Sequence, residues 1–557
     1  MVTTAWVKKI YTTKGLDPLA VQAPCINLYG RLLPGITNVT DRARYYSFYP
    51  WMIWAFDQIP GTKSKSDMIE WVRKADCLYT MIAIRHRQKT QDNNSLKHDT
   101  GLVGTETLRS KILGLGPVDK LQLSQFTVQE ENNPNRYFKN SFGGLKQYYL
   151  GTFDSLGLMS LKDGVIRYTD TKGKLMAEAV DASVNRKLFI ETIQEDIVTI
   201  DRLDELDAFC PCRLLESHKE HSALLDIFFD RNAEFGDEGK QRRRTLGLSL
   251  DLIKKLSIKD VSQGVSFDHN IFRGCVYSGA LPDGTHWELP PSFDLVRSGW
   301  ATYQRNELLS VAVQCIFWVS LAYIEEKKPL LRTIDDFALW FESSQCLEEA
   351  ISILGFSNFN TALKSTTSKL PPLADWHNEN HEIVKVNQAL QTYSEEKKRK
   401  GKKEGKSELL ALSAQIILCL MARDDQSEQA YGPMGFPAEY FSLYPINLES
   451  LRHIASSKWP GMTIGKWLAW IAAYWGVEAH LRVALRKLRQ QNQDTFHVLP
   501  TDQGLVVAAL PKPTYTTPRF TQAIQVLQDI GAIERTADDK RVKITPLGDQ
   551  LLGASFD

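Results

Sequence analysis

The sequence predicts a mainly α-helical, multidomain protein that carries two winged-helix-like α+β modules. Over most of the chain, apolar residues recur at the three- to four-residue spacing of amphipathic helices. Two segments, residues 128–185 and 501–557, break this pattern with the same order of helix, Gly-containing turn, hairpin and second helix. The length of 557 residues, at roughly 100–200 residues per domain, leaves room for three or four domains.

The module at residues 128–185 is predicted from three local signals. Leu145, Tyr149 and Phe153 recur at i, i+4 and i+8, which indicates a helix with one apolar face. This helix should end at Gly157, because glycine suits the left-handed residue that follows a helix. Asp163-Gly164 should then join two short strands, since Asp-Gly is a strong signal for a two-residue hairpin turn.

The module at residues 501–557 repeats this order. Its first helix should end at Gly531, and a hairpin and a last helix follow. Aligning Gly157 with Gly531 brings Thr169 and Thr545 together to within one or two residues. The two modules are therefore predicted to share one architecture.

The remaining regions are predicted to be helical and to form separate segments. These are an N-terminal helical domain at 1–127, a central helical domain at 186–393, a basic linker or mobile loop at 394–407 and an aromatic-rich helical domain at 408–500. The chain up to about residue 40 is predicted to be extended or loop-like. Helices are predicted over 66–87, 183–202, 216–230, 245–256, 306–324, 335–355, 408–423 and 464–490.

Composition argues against a protein that coats nucleic acid or crosses a membrane. Lys and Arg total 67 and Asp and Glu total 66, so any nucleic-acid contact must come from local basic patches. The apolar runs at 308–324 and 464–477 are interrupted by polar residues and are shorter than the roughly 20 residues of a spanning helix. The eight cysteines form no disulfide framework, and no signal peptide is read. A cytoplasmic protein without membrane association is expected.

The modules offer polar residues that suit DNA. Arg and Gln can hydrogen-bond base edges from a helix, and cations on a hairpin can neutralise phosphate. The candidate DNA-binding residues are Arg519, Gln522, Gln525, Lys540, Arg541 and Lys543 in the second module, and Lys146, Lys162 and Arg167 in the first. The alternative is that each module docks against another protein or its own core, because a fold does not fix a function.

The segment from Pro34 to Trp51 is the most distinctive in the chain, because it sets Arg42 and Arg44 beside several aromatic residues. Such arginines can hold a phosphate or a base. The interpretation we favour is structural, with buried rings and with each arginine paired to a carboxylate or a carbonyl.

Cys210-Pro211-Cys212, with His218 and His221 behind it, supplies four residues of the types that bind zinc. The spacing is shorter than the usual Cys-x2–4-Cys and His-x3–5-His patterns, so no metal site is predicted. His98-Asp99 stands without supporting context. No phosphate loop, dinucleotide fingerprint, nucleophile elbow or His-Glu-x-x-His motif is present, so no catalytic residue and no cofactor are assigned.

The order Pro34-Gly35-Ile36-Thr37, Arg42-Ala43-Arg44-Tyr45-Tyr46 and Pro50-Trp51 resembles the opening of an uncharacterised bacterial family associated with anti-phage defence loci. The resemblance covers this segment and extends to the first module. It implies a bacterial origin and a place in a multi-gene defence system. It brings no catalytic residues to this sequence.

The sequence thus predicts a non-enzymatic DNA-binding or scaffolding subunit of a bacterial multi-protein complex, beside an ATPase or nuclease encoded elsewhere. Two alternatives stay open. One is a metal-dependent nuclease with an unrecognised carboxylate site, because dispersed carboxylates leave weak local patterns. The other is a protein–protein adaptor that uses its winged helices for protein contacts alone.

Overall fold

A computed structural model describes residues 11–12, 17–39, 42–61, 64–92, 97–162, 164–257, 265–398, 404–423, 443–502, 504–535 and 541–556. Helices account for 64% of the structure and strands for 6%, which confirms the prediction of a mainly helical fold. The chain divides into two compact units that are each discontinuous in sequence. Unit 1 comprises residues 1–31, 270–289 and 297–518, and unit 2 comprises residues 32–269, 290–296 and 519–557.

The elements are numbered in chain order. The helices are α1 Ala23–Leu32, α2 Tyr45–Asp57, α3 Lys65–Thr90, α4 Thr105–Leu113, α5 Leu150–Ser155, α6 Lys172–Asp181, α7 Arg186–Glu195, α8 Ile200–Glu205, α9 His218–Phe229, α10 Gly236–Ser257, α11 His269–Ser278, α12 Pro291–Lys327, α13 Ile334–Glu342, α14 Gln345–Leu354, α15 Phe359–Lys369, α16 Glu382–Lys398, α17 Glu404–Ala422, α18 Leu448–Ser457, α19 Ile464–Trp470, α20 Ala479–Gln491, α21 Phe520–Asp529 and α22 Pro546–Gly553. Short 3-10 turns cover Leu123–Gln125, Asp207–Phe209 and Pro211–Glu216, and π-helical turns cover Leu145–Tyr149 and Ile471–Glu478.

The strands are short and form small sheets. They are β1 Tyr11–Thr12, β2 Met159–Lys162, β3 Val165–Tyr168, β4 Val265–Ser266, β5 Gln493–Asp494, β6 Val498–Thr501, β7 Gly504–Val507, β8 Ile533–Arg535 and β9 Arg541–Ile544. β1 pairs with β5 in parallel, whereas β2–β3, β6–β7 and β4–β9–β8 are antiparallel.

Unit 2 is built around α2. Every residue of this helix from Tyr45 to Phe56 is buried, and α3, α6, α9 and β3 pack against it. Its rings interlock with those of its neighbours, for example Phe48 stacked on Tyr79 with centroids 4.1 Å apart. Pro50 lies inside the helix. A helix that is buried on all sides reads as hydrophobic throughout, and α2 does.

Unit 1 has its own apolar core. Trp459, Trp467 and Trp475 cluster there with Phe359, at centroid distances of 5.2–5.6 Å. Two helices are long and apolar enough to cross a membrane by length and composition: α12, whose most apolar window is completely buried, and the stretch 405–422 of α17, of which 61% is buried. Core helices of this kind pass the same test of length and hydropathy.

The prediction of extended chain before residue 40 was wrong, because Ala23–Leu32 is helical. Asp17 begins this helix by accepting hydrogen bonds from the backbone N–H groups of Val21, Gln22 and Ala23. Cys25, Leu28, Tyr29 and Leu32, at i, i+3, i+4 and i+7, are among its buried residues. Ten residues make a short apolar stripe that a pattern search over longer windows misses.

Several predicted helices differ in their bounds. Residues 183–202 and 335–355 each form two helices instead of one. The second helix of the first pair is α8, Ile200–Glu205. Thr199 is its N-cap residue, and the Thr199 side chain accepts a hydrogen bond from the backbone N–H of Arg202. The basic linker predicted at 394–407 is largely taken up by the end of α16 and the start of α17, and residues 399–403 lie outside the described chain.

Two helix–hairpin–helix segments have matching turns. We call residues 145–181 the first segment and residues 520–553 the second segment. In both, a glycine with positive φ ends the first helix: Gly157 at 66° and Gly531 at 74°. In both, a threonine side chain after the hairpin binds the carbonyl oxygen of that glycine: Thr169 at 2.6 Å and Thr545 at 2.7 Å.

A second glycine in each segment packs against the first turn. A Cβ on Gly173 would lie 2.1 Å from the carbonyl oxygen of Leu158, and a Cβ on Gly548 would lie 2.1 Å from that of Ala532. No side chain larger than hydrogen fits there. The predicted correspondence between the two segments is therefore present in their hydrogen bonds and in their packing.

We expect Gly548→Ala to lower the free energy of unfolding by about 1–3 kcal/mol, because a methyl group would push the last helix away from the Ala532 carbonyl. Gly553→Ala, in the same helix, is the control, since nothing lies within 4 Å of its Cβ position. The control should keep or slightly raise stability, because alanine favours helix over glycine. Urea denaturation of both variants measures the difference, and equal effects would contradict this packing.

Candidate functional site

The first helix of the second segment, α21, holds its predicted DNA-reading residues inside unit 2. Gln522 and Gln525 are 7% and 3% exposed, and Gln525 donates to Asp529 at 2.9 Å. Arg519 precedes the helix with a positive φ of 59° and donates to the carbonyl oxygen of Leu33 at 2.9 Å. In this conformation the glutamines contact protein. Reading base edges with them would require α21 to leave its place.

The hairpin of the second segment presents its cations differently. Arg541 and Lys543 are exposed on β9, on either side of the buried Val542. The register places Glu534 of β8 opposite Lys543. Lys540 lies outside the described residues. Strand β9 thus carries two surface cations, and Lys543 faces an acidic cross-strand neighbour.

The cations of the first segment interact with their own unit. Arg167 forms an ion pair with Asp57 at 3.0 Å, and its side chain is 50% exposed. The Lys146 ammonium lies 5.5 Å from the centre of the Phe142 ring. Lys162 is the last residue of β2, and its side chain lies outside the described part of the chain. Of the described cations in this segment, Arg167 is therefore engaged by an acidic partner, whereas Lys146 is exposed.

Arg44 is buried in an ion pair. Its guanidinium group donates to both carboxylate oxygens of Glu220, at 3.0 and 2.8 Å, and both side chains are at most 2% exposed. The same group donates to the backbone carbonyl oxygens of Ala208 and Cys210, at 2.7 and 2.5 Å. This environment supports the structural interpretation made from the sequence.

Arg42 is held in the same way at a second place. It pairs with Asp529 at 3.0 Å and is 1% exposed. It also donates to the backbone carbonyl oxygens of Lys97, His98 and Thr100, at 3.0–3.3 Å. Neither arginine presents its guanidinium to a ligand at the surface.

The loops that the two arginines hold meet the end of α3, and four potential metal ligands come together there. These ligands are His86, His98, Cys210 and Cys212, which we call the His/Cys cluster. Their ligand atoms all lie within 4.8 Å of one another, and the first three residues are buried. Among the residues that the structure describes, the His/Cys cluster is the one group in which three or more His, Cys, Asp or Glu side chains bring their ligand atoms this close together. No second group of this kind, built from carboxylates, is found among the described residues.

Hydrogen bonding shifts the proton affinities within the cluster. The hydrogen bond from Cys210, with those from His86 and His98, lowers the pKa of the Cys212 thiol well below its usual value. Burial, together with Cys212, raises the pKa of Cys210. Burial disfavours the charged form of His98, but hydrogen bonds with Cys212 and Asp92 outweigh it and raise the pKa of that imidazole. The cluster thus favours a thiolate next to a nitrogen donor.

The sequence led to a different pair of histidines. His221 instead bonds the carbonyl oxygen of Ile530 at 2.8 Å, and His218 is exposed at the start of α9. The true neighbours of the cysteines are His86, at the end of α3, and His98, in the loop before α4. No local spacing could reveal them, because more than 100 residues separate them from the cysteines.

A cavity of about 380 Å³ opens beside the cluster. Cys212 lines it together with Arg42, Leu215, Asp529 and Gly531. The cavity therefore lies between the cysteine loop and the start of the second hairpin, and it gives solvent a route to the Cys212 sulfur.

We expect Arg44→Ala to lower the free energy of unfolding by about 3–5 kcal/mol, because it leaves the buried Glu220 carboxylate without its cation. Arg167→Ala is the matched control, since it removes an arginine from a half-exposed ion pair with Asp57. The control should cost at most about 1 kcal/mol. Chemical denaturation followed by circular dichroism measures both. Similar losses in the two variants would contradict a structural role for Arg44.

No protein-family model, no curated protein and no solved structure matches this chain. The resemblance suggested by the Pro34–Trp51 segment therefore stays a prediction. The function has to be inferred from the residues of the chain and from their geometry.

Proposed function

We propose that this chain is a non-enzymatic binding subunit of a bacterial multi-protein complex, and that its second segment is a winged-helix-like module that contacts nucleic-acid phosphates through its wing. The observation that carries the proposal is the exposure of Arg541 and Lys543 on β9, beside a first helix that is packed inside its unit. Cytoplasmic location and a role in anti-phage defence belong to the same proposal, and they rest on the sequence.

We propose that the wing and not α21 contacts the nucleic acid, because the wing has exposed cations whereas the polar side chains of α21 are buried. Phosphate contacts need cations at the surface and carry no base specificity, whereas base readout needs side chains that enter a groove. The wing strand meets the first requirement. Because Gln522 and Gln525 are buried, α21 does not meet the second. Binding should therefore be weakly sequence-dependent and strongly salt-dependent.

The first segment is proposed to serve mainly as structure. It shares the turn geometry of the second, but Arg167 is engaged by Asp57 and α5 is part of the core around α2. Winged-helix folds in multidomain proteins serve as docking modules as well as DNA readers, because function depends on the exposed side chains.

The second candidate function is that of a protein–protein adaptor, and the burial of α21 favours it. An adaptor would use both segments to organise the chain and would present its surfaces to partners, such as an ATPase or a nuclease of the same system. The two functions differ in one measurable property. An adaptor binds no DNA even at low salt, where electrostatic contacts are strongest.

We expect the double variant Arg541→Glu with Lys543→Glu to bind duplex DNA more weakly. The slope of log K against log salt concentration should become less negative by about two, which is about one for each lost phosphate contact. Fluorescence anisotropy at several salt concentrations measures both quantities. Lys174→Glu with Lys187→Glu is the control, because it makes the same charge change at exposed sites on α6 and α7.

Two outcomes would contradict the proposal. An unchanged salt slope in the β9 variant would remove the wing from the interface. An absence of binding by the wild-type chain at low salt would leave the adaptor as the better function.

A further inference from the structure

We propose that His86, His98, Cys210 and Cys212 bind one zinc ion, and that this ion has a structural role in unit 2. The inference is independent of the proposed nucleic-acid contact, because it depends on buried residues that the wing does not include. It assigns a metal to a chain whose sequence spacing argues against one.

The distances fit a tetrahedral ion. Zinc–ligand bonds of about 2.0–2.3 Å place neighbouring ligand atoms about 3.3–3.8 Å apart. In the cluster, His86 Nδ1 lies 3.3 Å from Cys212 Sγ, and His98 Nδ1 lies 3.3 Å from Cys210 Sγ. The two sulfur atoms are 3.4 Å apart. These three edges of the tetrahedron lie within about 0.4 Å of the lengths that zinc requires, and no two ligand atoms are more than 4.8 Å apart.

The Nε2 atom of each histidine, which points away from the sulfurs, faces a carboxylate. His98 Nε2 lies 3.2 Å from Asp92 Oδ2, and His86 Nε2 lies 3.7 Å from Asp207 Oδ2. This arrangement directs both Nδ1 atoms towards the sulfurs. Histidines that bind a metal usually give their second N–H to a carboxylate or a carbonyl, which fixes the tautomer and orients the ring. His98 has such a partner at hydrogen-bonding distance, and for His86 the Asp207 carboxylate lies just beyond that distance.

The ligand loops are held from behind by the two buried arginines. Arg42 donates to the carbonyl oxygens of residues 97, 98 and 100, which form the loop of His98. Arg44 donates to those of Ala208 and Cys210, which form the loop of the cysteines. Each arginine thus fixes the backbone that presents one or more ligands. Such support is what keeps a metal site close to its binding geometry before the ion arrives.

The donor set identifies the ion. Two thiolates and two imidazoles in a tetrahedral arrangement suit zinc, whereas Ca²⁺ and Mg²⁺ prefer oxygen ligands. Four protein ligands fill the coordination sphere and leave no position for water or substrate. A site of this kind stabilises structure and does not catalyse a reaction.

The ion would also help to hold the second segment. Asp529, the last residue of α21, accepts hydrogen bonds from Arg42 and from the backbone N–H of Ala43, at 3.0 and 2.9 Å. Leu215, three residues beyond Cys212, packs against Gly531. Removal of the ion should therefore loosen the start of the second hairpin together with the cysteine loop.

The first experiment measures metal content. The full chain, purified without chelator, should contain about one zinc ion per chain when measured by inductively coupled plasma mass spectrometry. Cys212→Ser and His86→Ala should lose most of it. His218→Ala and Cys346→Ser are the controls, since neither residue belongs to the cluster. Absence of zinc in the wild-type chain, even after incubation with zinc, would overturn the proposal, as would full zinc content in both ligand variants.

A second experiment uses the unmodified chain, so that it does not depend on the folding of any variant. Alkylation followed by peptide mass spectrometry should modify Cys212 several times faster after treatment with a chelator, because zinc protects the thiolate. Hydrogen exchange should rise on chelation in peptides covering residues 205–216 and 525–535. Peptides covering 308–324 of α12 should not change. Equal alkylation and equal exchange with and without chelator would overturn the structural role.

Discussion

Unit 2 depends on the burial of two guanidinium groups, those of Arg42 and Arg44, which one residue separates in the sequence. Removing an arginine and its carboxylate from water costs several kcal/mol for each ion, so such a pair persists only when its hydrogen bonds are nearly all satisfied. Arg44 meets this condition with Glu220 and two carbonyl oxygens, and Arg42 meets it with Asp529 and three. The carbonyl oxygens lie outside the α-helices and strands, in the turn before α4 and around the 3-10 turn Asp207–Phe209. The arginines therefore give these loops a fixed conformation.

Both proposed properties of the chain follow from that constraint. The His98 loop and the cysteine loop meet because each is bound to an arginine of the same short segment, and their meeting creates the His/Cys cluster. Asp529 joins α21 to Arg42, so the place of the second hairpin relative to the rest of unit 2 is set by the same group. The second hairpin and the buried cluster are thus both connected to Arg42.

The sequence predicted features that a few neighbouring residues determine, and it did not predict contacts between residues that are far apart in the chain. Gly157 with Gly531 and Thr169 with Thr545 were found because a helix end and a hairpin turn are determined by a few neighbouring residues. The burial of Gln522 and Gln525 could not be found, since their polar side chains read as surface until the packing of α21 is known. Likewise, Cys-x-Cys spacing said nothing about histidines contributed by distant parts of the chain. The structural interpretation of Arg42 and Arg44 could be made, but their partners could not be named.

The ends of the distinctive Pro34–Trp51 segment are held by buried contacts, as Arg42 and Arg44 are. Gly35 has a φ of 76°, and a Cβ there would lie 2.7 Å from the buried Arg242, which donates to the Pro34 carbonyl oxygen. At its other end, Trp51 donates to Asp181 at 3.1 Å. Gly35, Arg42, Arg44 and Trp51 therefore all contact the interior of unit 2. Their unusual combination in the sequence is accounted for by packing and by buried hydrogen bonds. A binding activity of the chain has to be sought on other surfaces.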